Sequence, residues 1–260
     1  MTNFNPSNLF INSPLEQFEV TNLLSFNAPI LGYLNLTLTN LALYALLVTS
    51  LILGLHIYGN NETKLLPSKW SIALESLYAS IKNIVSDQIG SANEVYLPFI
   101  YSLFCFILFA NLISNVPYSF AVTTSVIVCL GLSFTIWVGV TLLGLYIHRT
   151  HFFAYFIPSG TPLALVPLLV LIELVSYIAR AGSLGIRLFA NIMAGHSLLK
   201  ILSTFLYQMF SSSLIFAVLT LVPFSIFIAL IGLELAVSFI QSFVFCLLVS
   251  SYIKDAIDLH

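Results

Sequence analysis

Residues 214–252 form an apolar run of about 39 residues that carries one charge, Glu234. As an α-helix rising about 1.5 Å per residue it would extend close to 60 Å, roughly twice the hydrocarbon core of a bilayer. Such a helix must either break, with Pro223 the expected place, or lie steeply tilted. Residues 161–206 are also helical in pattern, yet they hold Glu173, Arg180, Arg187, His196 and Lys200. Two long, charge-spotted helices that cannot stand upright are expected to lie obliquely, as a pair, against another membrane body.

The composition sets the class. Apolar residues make up 59% of the chain and charged residues 7%, against about 25% charged in soluble domains. With a mean hydropathy of +1.04, this reads as an all-α integral membrane protein with several spans. The net charge of −2 gives no basic surface for nucleic acid. No GxxxxGK[ST] loop occurs, nor a GxGxxG following a strand, so no nucleotide is expected on this chain. Cys105, Cys129 and Cys246 lie singly in apolar runs and read as small buried hydrophobes, with no metal-ligand spacing. His56, His148, His151 and His260 sit at or beyond the ends of apolar runs, leaving His196 alone in the interior. Haem, which needs paired membrane histidines, is therefore not expected, and no cofactor or metal is called for.

Along the chain, residues 34–58 read as one vertical span. Residues 67–88 repeat apolar positions every three to four residues among lysines and acids, as in an amphipathic helix on the membrane surface. A soluble loop helix is the alternative. Residues 95–147 form a helical hairpin turning at Pro117-Tyr118-Ser119, and two long tilted helices follow over 161–206 and 208–253. The lysines of 59–94 and Arg149 mark the inner face, so the N-terminus and the Pro117 turn face outward. Residues 1–12 hold no Lys or Arg and no long apolar core, unlike a secretory signal or an Arg-rich transit peptide. In an organelle, this points to insertion from inside it.

The charged residues carry the chemistry. Glu173, Arg180 and Arg187 are spaced by seven and share one helical stripe, with Asn191 a turn beyond. Small residues (Ala181, Gly182, Ser183, Gly185, Ala190, Ala194, Gly195) crowd the same stretch and let helices approach closely. Glu173 and Arg180 could form a purely structural pair. One carboxylate does not neutralise two arginines, however, and a guanidinium does not shed its proton, so Arg187 needs an anion from elsewhere. Glu234 and Gln241 are likewise seven apart, with Ser238 between them. His196 is the natural neighbour of Glu234, either as a proton relay or as a structural hydrogen-bond pair.

The run Arg187-Leu-Phe-Ala-Asn191-Ile-Met-Ala-Gly195-His196, preceded by Glu173 and followed by Glu234 and Gln241, resembles subunit a of F-type ATP synthases over nearly the whole chain. Ser13-Pro-Leu-Glu-Gln-Phe-Glu-Val is similar to the mature start of yeast mitochondrial members, which would make residues 1–12 a propeptide and 13–260 a single membrane domain. The resemblance implies a stator subunit of the mitochondrial inner membrane, N-terminus toward the intermembrane space. It would face a ring of c subunits, each with one membrane carboxylate, beside other stator subunits including the peripheral stalk. Arg187 matches the essential arginine. His196 and Glu234 match the pair of the outer half-channel, in the order mitochondrial members use, with Asn111 and Asn191 along the same path. Gln241 matches a residue that meets the arginine. Glu173, joined by Asp255, matches the matrix-side exit. Ser114 departs from bacterial members, some of which have a carboxylate there. Such a protein would not be a catalyst by itself. Two other readings remain at this stage: a self-contained proton-coupled secondary transporter, and a structural subunit of a respiratory complex.

Overall fold

A computed structural model describes residues 15–28, 34–59, 66–116, 119–156, 165–212 and 219–258. The expected propeptide, residues 1–12, lies outside these, as do Pro117 and Tyr118 of the expected turn.

Two strands open the described chain, β1 (Asn22–Ala28) and β2 (Leu34–Thr39), paired antiparallel with Leu24 opposite Leu38 and Phe26 opposite Leu36. A short 3-10 turn, Glu16–Phe18, precedes them. The long elements described after the hairpin are helices: α1 (Asn40–Gly59), α2 (Lys69–Ile89), α3 (Leu97–Ser114), α4 (Val126–His148), α5 (Val166–Ser212) and α6 (Leu221–Ile257). Among the described residues, five helices are long and apolar enough to cross a bilayer; the sixth, α2, is not one of them. The protein is thus an all-α membrane protein with a small N-terminal hairpin that hydrophobic patterning did not anticipate. Its second strand, LNLTLT, alternates apolar with polar residues and takes up the first six residues of the span expected over 34–58, so that helix begins only at Asn40.

Local chemistry accounts for the helix limits. The α2 N-cap is Ser68, whose Oγ accepts the Ser71 N–H at 3.2 Å. Ile81, Val85 and Ile89, four residues apart, form its buried stripe. Gly90 closes it at φ +88, a conformation that residues with a Cβ rarely adopt. Pro98 sits in the first turn of α3, where its missing N–H costs nothing. Pro223 is placed the same way. It lies in the first turn of α6, which starts after the turn at Thr220, so the apolar run is divided close to the expected place, and α6 then continues unbroken to Ile257. Its absent N–H is one of the four that no helix satisfies internally.

α6 packs against α2, α3, α4 and α5, and its polar side chains meet those of α3 and α5. The core between them is formed by Ile100, Phe104, Ile107, Leu184, Leu188, Phe245, Val249 and Ile253. All three cysteines are free and buried. α4 and α5 come together at Gly185, where a Cβ would fall 2.6 Å from Ser133 Oγ and 2.8 Å from the Cys129 carbonyl oxygen. Small residues thus set the helix spacing here, as membrane packing favours.

Candidate functional site

The polar groups fall into three places along the α5–α6 pair. In the first, α5 brings His196 beside Glu234 of α6, Nε2 to Oε1 at 3.6 Å. Gly195 makes that approach feasible, since a Cβ there would lie 2.9 Å from Glu234 Oε1. From α3, Ser114 Oγ lies 3.3 Å from His196 Nε2. Ser114 donates its own proton to the Asn111 carbonyl at 2.6 Å, so toward the imidazole it is the acceptor. His196 Nε2–H is therefore held between a hydroxyl and a carboxyl oxygen. The Phe18 ring stands edge-on to the imidazole, centroids 6.4 Å apart, bringing the N-terminal turn over this cluster.

Several polar atoms here lack partners among the described residues. Glu234 is 6% exposed, and its Oε1 accepts no hydrogen bond. Asn111 is fully buried with neither amide atom bonded. Asn115 donates to Ser238 Oγ at 3.1 Å, and Ser238 donates to the Glu234 carbonyl at 2.9 Å, while Asn115 Oδ1 has no donor. Buried polar atoms normally find partners in protein or water, so a cluster of orphans marks a path suited to water rather than a packed core. A cavity of about 250 Å³, lined by Asn191, Gly195, Leu198, Leu230 and Glu234 among others, opens between α5 and α6 beside it.

In the second place, one to two turns along α5, Asn191 donates to Gln241 Oε1 at 2.8 Å and ties the two long helices together. Arg187, one turn further, is exposed and has no hydrogen bond or ion pair among the described residues. Gln241, expected to meet Arg187, pairs with Asn191 instead.

The third place holds the remaining charges. Arg180 reaches Asp255 Oδ2 at 3.1 Å through Nη1 and Glu173 Oε1 at 3.5 Å through Nη2. All three side chains are about 30% exposed. Tyr252 lies within electrostatic reach of Arg180, Arg187 and Asp255. A cavity of about 20 Å³, lined by Trp137, Tyr177, Arg180, Tyr252 and Asp255, has room for about one water. Among the described residues, no three His, Cys, Asp or Glu side chains come together as metal ligands.

The spacing of charges points to His196 with Glu234 and to Glu173 with Arg180, but not to Ser114 as a partner of His196 or to Asn115 as a partner of Ser238. Asn111, Ser114 and Asn115 recur at three and four on an otherwise apolar helix, a polar stripe that could have revealed them.

Comparison with known proteins bears on the whole chain. The ATP synthase A chain family matches residues 42–254. A protein named ATP synthase subunit a from Mycosarcoma maydis is 65% identical over 250 residues, 96% of this chain and 98% of the relative. Proteins of the same name from Emericella nidulans (51% over 252 residues, 96% and 98%) and Podospora anserina (49% over 262 residues, 100% and 99%) are also similar.

Proposed function

The chain belongs to the ATP synthase A chain family, and from that premise we propose how its residues carry protons. As a member it is the proton-translocating stator subunit of the synthase's membrane sector. It is a multi-pass protein of the mitochondrial inner membrane and a component of the multisubunit synthase rather than a catalyst on its own.

In our reading, the exposed face of α5 around Arg187 lies against a ring of c subunits, each with one membrane carboxylate. The peripheral stalk and other stator chains hold it there. A ring carboxyl must be neutral to travel through lipid and ionised to sit beside a guanidinium. A permanently charged Arg187 thus strips a proton from each arriving carboxyl and keeps protons from passing straight across. Protons enter from the intermembrane space, which the N-terminus also faces, past Asn111 and Ser114 to His196 and Glu234. Asn191 and Gln241 close the helices together between this inlet and the arginine. Protons leave to the matrix through Glu173 and Asp255, with Arg180 holding the two carboxylates. Each proton crossing yields about 2.3 kcal/mol per 100 mV, which the offset paths turn into rotation.

The observation that carries this reading is the contrast between the arginines. Arg180 sits between two carboxylates, whereas Arg187 faces outward with no protein anion among the described residues. A self-contained transporter would turn such a charge inward, toward its substrate. Arg187→Ala is expected to abolish proton-driven ATP synthesis in vesicles while the complex still assembles. Normal synthesis by that variant would sink the proposal.

A further inference from the structure

Away from the inlet, the last residue of α4 touches the last residue of α6. His148 Nε2 lies 2.9 Å from the Ile257 carbonyl oxygen. A carbonyl only accepts, so Nε2 carries the hydrogen in this contact. The Nε2–H tautomer and the imidazolium both donate there, which makes the bond a pin rather than a pH switch. The final carbonyls of a helix have no intrahelical N–H, and the imidazole supplies one.

The surroundings fix the pin in place. Arg149, at φ 50, ends α4 immediately after His148 and sends the chain back as the 3-10 segment Arg149–Phe156. Phe152 of that segment is buried and edge-on to Tyr177 of α5, centroids 6.5 Å apart. Gly144, one turn before His148, leaves room for it: a Cβ there would lie 2.8 Å from the Phe152 ring and 3.7 Å from Ala256 Cβ. The ends of α4 and α6 are thereby locked together, and two residues before Ile257 stands Asp255, bonded to Arg180 at 3.1 Å.

Resting on the exit half-channel reading above, we propose that His148 is a positioning residue for that exit. By holding the last carbonyl of α6, it fixes the height of Asp255 against Arg180 and Glu173. It touches neither the proton path nor the ring, and its effect runs through Asp255.

The test uses the intact synthase in inverted inner-membrane vesicles, with His148→Ala, His148→Gln, Asp255→Asn and the His148→Ala/Asp255→Asn double variant. Proton-driven ATP synthesis is measured per assembled complex. Losing one hydrogen bond of this kind is expected to lower the rate of His148→Ala roughly fivefold, and His148→Gln, which keeps an N–H of similar reach, restores it to within about twofold. The double variant is expected to be no worse than Asp255→Asn alone. Should His148→Ala fail to assemble, His148→Asn, whose shorter amide does not span the contact, takes its place in the cycle. An Asp255→Asn variant with normal synthesis removes the exit reading and this proposal with it. A defective Asp255→Asn whose loss multiplies with that of His148→Ala, or a His148→Gln as slow as His148→Ala, overturns the positioning role alone.

Discussion

Glu234 presents one buried oxygen that no donor satisfies, 3.6 Å from an imidazole nitrogen already engaged with Ser114. A structural pair would close that gap, because an unsatisfied buried acceptor costs about 1–3 kcal/mol. A group that must gain and lose a proton benefits from being left partly unbonded. Glu234→Gln preserves shape and removes the titrating oxygen, so assembled complexes are expected to lose proton-driven ATP synthesis by roughly 100-fold, the scale of a lost acid–base group. Unchanged proton pumping by assembled Glu234→Gln complexes would reduce the pair to scaffolding. Ser114→Ala is milder: it removes one acceptor from His196 and should slow synthesis several-fold, as loss of about 1 kcal/mol implies. Much of this was legible in the sequence, since charges in hydrocarbon announce themselves and seven-residue spacing aligned Glu173 with Arg180. The second carboxylate of Arg180 is not visible from spacing. Asp255 lies 75 residues away, near the end of another helix, and only packing brings it to the guanidinium.

At the scale of elements, the long helices are legible from their apolar stretches, because hydrocarbon forces backbone groups to bond within the helix, although α5 runs on to Ser212, past the end expected at 206. The N-terminal hairpin did not, since its pairing depends on contacts between strands and on packing beside the helices. Pro223 shows how one residue type carries two meanings: the same ring that breaks a helix interior opens a helix at its first turn. Close packing between α4 and α5 gives a direct test at this scale. Gly185→Val would drive a side chain into Ser133 and the Cys129 backbone, and backbone does not yield as a flexible side chain does. Overpacking of this kind costs about 1–3 kcal/mol, so the amount of assembled complex on native gels should fall. Gly182→Val, also on α5 but facing open space, should assemble normally and serves as the control. Equal yields of the two variants would mean that the helices do not meet at Gly185.

For the whole molecule, large apolar side chains are exposed on all five spanning helices, including Leu53, Phe99, Tyr146, Ile186 and Phe239. Lipid can cover most of that surface, but it offers Arg187 no anion at mid-membrane. The counter-charge proposed for Arg187 is therefore the carboxylate of the rotating ring. The direct measurement is a disulfide cross-link in the intact complex. It joins Ile186→Cys, beside Arg187 and 55% exposed, to a cysteine set next to the ring subunit's membrane carboxylate. The account predicts a covalent adduct of this chain with a single ring subunit on mild oxidation. Failure to form that adduct, with Ile186→Cys instead joining a second copy of this chain or a stalk subunit, would contradict it.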